Sequence, residues 1–232
     1  MSYGYSDAMA VAQAHADVRA TFIRRTYGHL AGAILAFVAL EAVLLQIPGV
    51  ENVVVGMSRL WIGVLAAWMV ISWLARTWAS SAKSISMQYV GLAVYVVGQA
   101  VLFLPMLYYA AFLMEDKTVI PTAGILTLGV FAGLTAAVFV TRKDFSYLGS
   151  ILSIAGFIAL GLIVASCIFG FSLGLIFSFA MVALACAAIL YDTSNVLHHY
   201  GTDQYVAASV ELFASVALLF WYVLRIAMAS RE

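Results

Sequence analysis

A chain of 232 residues that is 65% hydrophobic and 9% charged lies far from a soluble domain, in which roughly 25% of residues are charged. Its formal net charge is zero and its basic residues are scattered, which excludes a nucleic-acid-binding surface built on charge. The apolar runs are too long for barrel strands, so the expected fold class is all-α, a polytopic membrane protein.

Residues 1–25 are polar and Ala-rich, with Asp7, Asp17, Arg19, Arg24 and Arg25, and read as a polar cytoplasmic N-terminal tail. No short apolar core with a cleavage site precedes the first span, so no removable signal peptide is expected. Residues 26–232 form one membrane domain with seven spans: Thr26–Gln46, Leu60–Leu74, Met87–Leu107, Ala123–Val140, Leu148–Phe169, Leu173–His199 and Tyr205–Met228. Pro48-Gly49 ends the first, Pro105 ends the third, and Pro121 precedes the fourth. Gly170 turns the chain between the fifth and sixth, Gly201 stops the sixth, and Thr202 or Asp203 can cap the seventh. The pairs Gly28/Gly32 and Gly129/Gly133 have the spacing that lets helices approach closely, and packing within the bundle is the expected use.

Arg19, Arg24, Arg25, Arg76, Lys83, Arg142 and Lys143 fall on one side of these spans; Arg59, Lys117, Arg225 and Arg231 fall on the other. The positive-inside rule then puts the N-terminus in the cytoplasm. The short Arg231-Glu232 ending carries no lysine-rich tail and the N-terminus no Pro-rich extension, which favours a bacterial inner membrane over an organelle.

Enzymatic motifs fail on context. Gly170-Phe171-Ser172-Leu173-Gly174 has the G-x-S-x-G spacing, but that motif needs a strand–turn–helix with a His and an acid nearby. Here it falls in a helical hairpin at the far end from Asp192, His198 and His199. His198 and His199 are adjacent, so a helix points them in different directions and they cannot chelate together. Cys167 and Cys186 sit in apolar sequence and read as small core residues. With no H-E-x-x-H, P-loop or dinucleotide fingerprint, the chain is expected not to be an enzyme and to hold no resident cofactor. Glu41 is expected to reach the outer headgroups, Arg59 to snorkel at the outer end of the second span, and Arg76 to mark that span's cytoplasmic end between Trp73 and Trp78.

Asp192 resists such a reading. It lies nine residues before Gly201, or about 13 Å along a helix at ~1.5 Å per residue. Glu211 lies eight residues beyond Asp203, about 12 Å up the next helix. A tight turn would hold both acids at one depth, with Ser215 one turn above Glu211. Spacing does not fix whether they face each other. One reading has Asp192 bonded locally to Thr193, Ser194 or Asn195, serving helix packing alone. The other makes it a proton-sensitive latch, because an ionisable group inside a span is a functional candidate by default. Two carboxylates and a few hydroxyls would make only a weak, transient Ca2+ site.

Three stretches carry a resemblance to a known family: Phe22-Ile23-Arg24-Arg25-Thr26-Tyr27-Gly28-His29-Leu30, Thr141-Arg142-Lys143-Asp144-Phe145-Ser146-Tyr147-Leu148-Gly149, and Ile189 to Arg225. The sequence resembles the Bax inhibitor/YccA family, also called transmembrane Bax inhibitor motif proteins. The resemblance implies seven helices with the last one central, and a calcium leak controlled by pH. It implies a switch made of an aspartate on helix six and another on helix seven, latched by an arginine near the cytoplasmic end of helix two. Asp192 matches the first aspartate and Arg76 the arginine. Ser215 stands where the second aspartate is expected, so either Glu211 supplies the missing acid or the switch is reduced to Asp192 and Arg76. Expected partners are the lipid bilayer, Ca2+ and protons. A membrane-bound AAA protease, held through the N-terminal tail, is the rival reading, and a stress-survival protein without transport is another.

Overall fold

The last apolar run of the chain becomes the central helix of the bundle. The computed structural model describes residues 10–81 and 84–231; expectations resting on Asp7, Lys83 and Glu232, and residues 1–9 of the tail, lie outside the described residues. Eight α-helices are present among them: α1 (Ala16–Leu44), α2 (Val50–Arg59), α3 (Trp61–Ala79), α4 (Ile85–Tyr108), α5 (Val119–Thr141), α6 (Leu148–Phe169), α7 (Gly174–His198) and α8 (Tyr205–Ala229). All but α2 are long and apolar enough to cross a membrane. α8 packs against α1, α3, α4, α5 and α7. Its Val206, Ala208, Val210, Leu212, Leu219 and Leu224 are each at most 1% exposed.

Helices in lipid gain little from apolar contact as such, so close approach decides which pairs hold. α3 and α4 meet through Ala75, Ala79 and Gly91. A Cβ built on Gly91 would lie 2.4 Å from the Ala79 nitrogen and 2.5 Å from the Ala75 oxygen, so only glycine fits there. The glycine pairs expected to pack the bundle do not. Gly28, Gly32, Gly129 and Gly133 are exposed, and a Cβ on any of them meets nothing within 4 Å. Their spacing is right, but their helix faces turn outward.

Boundaries differ from the expected ones where local chemistry overrides the apolar pattern. α1 starts at Ala16, ten residues before the expected span, because Asp17 suits a helix N-terminus and Ala and Arg are good helix formers. The expected tail of residues 1–25 is therefore helical from Ala16 onward. Just before it, Val11 is fully buried and its N–H donates to the Tyr200 oxygen at 3.0 Å, so this segment covers the α7–α8 turn. Pro105 does not end the third span. α4 runs through it and closes in a π turn, Tyr109–Leu113, as neighbouring helices allow in a membrane bundle. Pro121 falls in the first turn of α5, where its missing N–H would be unbonded anyway. Neither Thr202 nor Asp203 caps α8: Gln204 holds that position, and its side chain accepts the Gly201 N–H at 2.9 Å. α2 was not expected; Gly49 starts it at φ +84°, and Glu51 and Arg59 suit its two ends. At the opposite end of the bundle from the α7–α8 turn, Arg231 pairs with Asp116 and donates to the Thr118 hydroxyl, tying the C-terminus to the loop before α5.

Candidate functional site

Four helices, α3, α4, α7 and α8, bring the polar residues of the spans together. Asp192 on α7 is 8% exposed, and its Oδ2 accepts a hydrogen bond from the Ser215 hydroxyl of α8 at 2.5 Å. One turn closer to the α7–α8 turn, Glu211 forms an ion pair with Arg76 of α3. The other arm of the guanidinium donates to the Tyr95 hydroxyl of α4 at 3.3 Å and lies 5.4 Å from the centre of that ring. Asp192, Ser215, Glu211 and Arg76 are thus one cluster that ties α3, α7 and the central α8 together. Asp192 makes no local side-chain bond of the kind considered from the sequence. The Ser194 hydroxyl instead accepts the Phe145 N–H at 2.9 Å and donates to Asp144. Arg76 hydrogen-bonds Glu211 and Tyr95, not Asp192. Tyr95 is the member that sequence reasoning missed; a phenol within an apolar span was the signal.

The cluster floors a cavity of about 840 Å³. Glu211, Ser215, Leu218, Tyr222 and Arg225 form its stripe on α8, and Trp61, Phe171 and Ser172 lie at its other end. From Glu211 to Arg225 the stripe rises about 21 Å at ~1.5 Å per residue, most of the way through a hydrocarbon core of ~30 Å. Toward the α7–α8 turn the structure closes: Val11, Val196 and Val206 are fully buried there. Tyr200 is half-buried in the same region, and desolvation there pushes its phenol above the usual range, so it stays neutral. The space is therefore long, polar at one end and blocked beyond that end.

The G-x-S-x-G segment joins α6 to α7, about 27 Å from Asp192 along α7. Among the described residues no group of three or more His, Cys, Asp or Glu side chains could hold a metal ion. Glu41 does not reach the headgroups: it is 4% exposed and neither carboxylate oxygen has a hydrogen-bond partner. Arg59 is exposed and lies in the last turn of α2, just before α3 begins at Trp61.

Outside the spans, Asp144 organises the loop between α5 and α6. It accepts the Ser146 N–H at 2.9 Å and lies 3.1 Å from His199 Nε2, beyond the end of α7. The Ser146 N–H, helped by His199, lowers its carboxyl to about 2. A carboxyl held below its unfolded value stabilises the fold above the ordinary carboxylate range and loses that contribution as pH falls toward the folded value. Thermal unfolding of purified protein should therefore drop as pH falls from about 5 to 2. Asp144→Asn should start lower at neutral pH and show a shallower drop. Because Asp144 is half-exposed, the neutral-pH difference should stay within about 1 kcal/mol.

Comparison with known proteins gives a consistent picture. The family model described as "Inhibitor of apoptosis-promoting Bax1" matches residues 19–232. The chain is 33% identical over 214 residues to an uncharacterised Pseudomonas aeruginosa protein, covering 88% of this chain and 87% of that one. It is 29% identical over 218 residues to the Arabidopsis thaliana BI1-like protein, covering 90% and 81%. It is 26% identical over 235 residues to a Golgi anti-apoptotic protein of Vaccinia virus, covering 99% and 93%.

Proposed function

Because the chain belongs to the family of inhibitors of apoptosis-promoting Bax1, we propose that it is a non-enzymatic, pH-sensitive calcium leak of the Bax inhibitor type, gated by protonation around Asp192. The observation that supports this most is the cavity ending at Asp192, Glu211 and Arg76. A cation reaching that end meets two carboxylates and a hydroxyl. Ca2+ takes 6–8 oxygen ligands, so water supplies the rest and the ion is held weakly, as a leak requires.

The gate is the pair of ties across α8. Arg76–Glu211 fastens α3, and Ser215–Asp192 fastens α7. A hydroxyl–carboxylate bond is stronger than its neutral counterpart, so a proton on Asp192 loosens α7 from α8. The titratable or charged groups nearest Asp192 are Glu211, Arg76, Tyr27, Tyr95 and Tyr200. Glu211 is the one acid among them, and it stands in for the aspartate that Ser215 replaces. In this reading the chain lies in a bacterial inner membrane with its N-terminus in the cytoplasm, so the packed end faces inward. The excess of basic residues on that side and the Pseudomonas relative support this placement.

Calcium flux into liposomes, followed with an entrapped dye across a pH series, tests the proposal. Flux should rise as pH falls in the unmodified protein, and Asp192→Asn should flatten the profile. Flux no greater than in protein-free liposomes at any pH would reject it. A survival role without transport would then be the better reading; the Vaccinia relative is named an anti-apoptotic protein.

A further inference from the structure

On the other face of α8 lies a second cleft, between α1, α5 and α8, with a cavity volume of about 310 Å³. We propose that this cleft binds an amphiphilic organic ammonium ion whose charged head pairs with Glu41. Glu41 lines the cleft and is 4% exposed, with both oxygens unbonded. Across from it on α5, Thr127 is 2% exposed and its hydroxyl also lacks a partner. No Lys, Arg or His is among the residues lining the cleft. Two buried polar side chains, with no partner among the described residues, mark the place where a ligand's polar head belongs.

The walls decide which head. A Ca2+ or Mg2+ ion needs six or more oxygens, and only one carboxylate and one hydroxyl are on offer. An anion is repelled by Glu41. A plain acyl chain leaves the carboxylate without a partner in an apolar cleft. An alkylammonium ion satisfies each group: its N–H bonds go to Glu41 and Thr127, and its charge meets aromatic faces. Phe37, Phe213 and Phe220 line the cleft. They belong to one ring cluster, with Phe37 at 6.1 Å from Phe213 and 5.2 Å from Phe103, and Phe103 at 5.8 Å from Phe220. Val38 and Leu128 are exposed at the rim. An alkyl tail can therefore leave sideways into lipid, and the ligand need not enter from water.

Equilibrium binding of radiolabelled octylammonium to the full chain in nanodiscs of zwitterionic lipid tests this. Saturable binding of one equivalent above empty nanodiscs is expected. Glu41→Gln, which keeps shape and removes charge, should weaken it roughly tenfold or more, the range for loss of a charged hydrogen bond. Thr127→Val should weaken it less, and Asp192→Asn, on the other face of α8, should leave it unchanged. Octanol should not compete. Binding that Glu41→Gln leaves intact, equal competition by octanol, or no saturable binding would each overturn the proposal. None of these outcomes bears on calcium flux.

Discussion

Arg76→Gln should destabilise the bundle and raise its resting calcium flux, and pairing it with Glu211→Gln should restore stability without restoring the closed state. The single change leaves Glu211 beside Tyr95 with no cation bonded to it. The pair is neither exposed nor dry: the Arg76 and Glu211 side chains are 40% and 30% exposed, and both line the cavity. Its loss should fall between the 0–1 kcal/mol of surface pairs and the 3–5 kcal/mol of broken buried ones, about 2 kcal/mol. For a chain of this size that is a fall of roughly 4–8 °C in the unfolding midpoint. The double variant has two neutral amides, so the unpaired charge is gone and most of the loss should be recovered. A double-mutant cycle in thermal unfolding reads the coupling directly. Flux separates the two roles of the contact. If Arg76 only braces the fold, the stabilised double variant should leak like the unmodified protein. If the pair latches α3 to α8, the double variant should remain leaky while stable. A cycle with no coupling would remove the latch from the proposed gate.

Much of this arrangement was legible in the residues, for reasons that can be named. Hydrocarbon thickness fixes span length, so the seven spans follow from the apolar runs, and the fifth has the bounds expected for it, Leu148–Phe169. The short turn after His199 fixes the depth of Asp192 and Glu211. Their rotation about the helix axes was not legible. It depends on how α7 and the central α8 pack on each other and on their neighbours, which spacing along one helix does not specify. α2 was missed because its run of valines resembles loop or strand sequence. Glu41 is more instructive. The buried face of α1 is Phe22, Thr26, Leu30, Ala33, Phe37 and Glu41, at helical spacings of four, four, three, four and four. Glu41 continues that stripe, and its period placed it inside the bundle. Its closeness to Pro48 suggested the membrane surface instead. For a helix in a bundle, phase decides whether a side chain faces protein or lipid, and distance to the helix end does not.

The glycine that sets the α3–α4 distance carries the other large effect. Gly91→Ala should lower the unfolding midpoint and, through Arg76, open the leak. The added methyl would meet the backbone of Ala75 and Ala79 at 2.5 and 2.4 Å, against the 3.5–4.0 Å at which carbon contacts are favourable. Backbone cannot rotate away, so α3 and α4 must separate by about 1 Å along their contact. Overpacking of this kind costs about 1–3 kcal/mol, or roughly 2–12 °C in midpoint. Arg76 follows Ala75 in α3, so any displacement carries its guanidinium relative to Glu211. Gly98→Ala makes a useful contrast. There the methyl meets the Trp68 ring at 2.8 Å, a side chain that can turn, so the loss should be smaller; Trp68 packs edge-on against Tyr95 at 5.2 Å, so Arg76 should shift less than in Gly91→Ala. Gly161→Ala is the control: nothing lies within 4 Å of its Cβ, and the helix should gain up to about 1 kcal/mol. The order of midpoints should be Gly161→Ala, unmodified protein, Gly98→Ala, Gly91→Ala, and only the last should leak like Arg76→Gln. If Gly91→Ala is as stable and as tight as Gly98→Ala, the α3–α4 contact does not position the latch, and Arg76 must owe its place to Tyr95 and Glu211 alone.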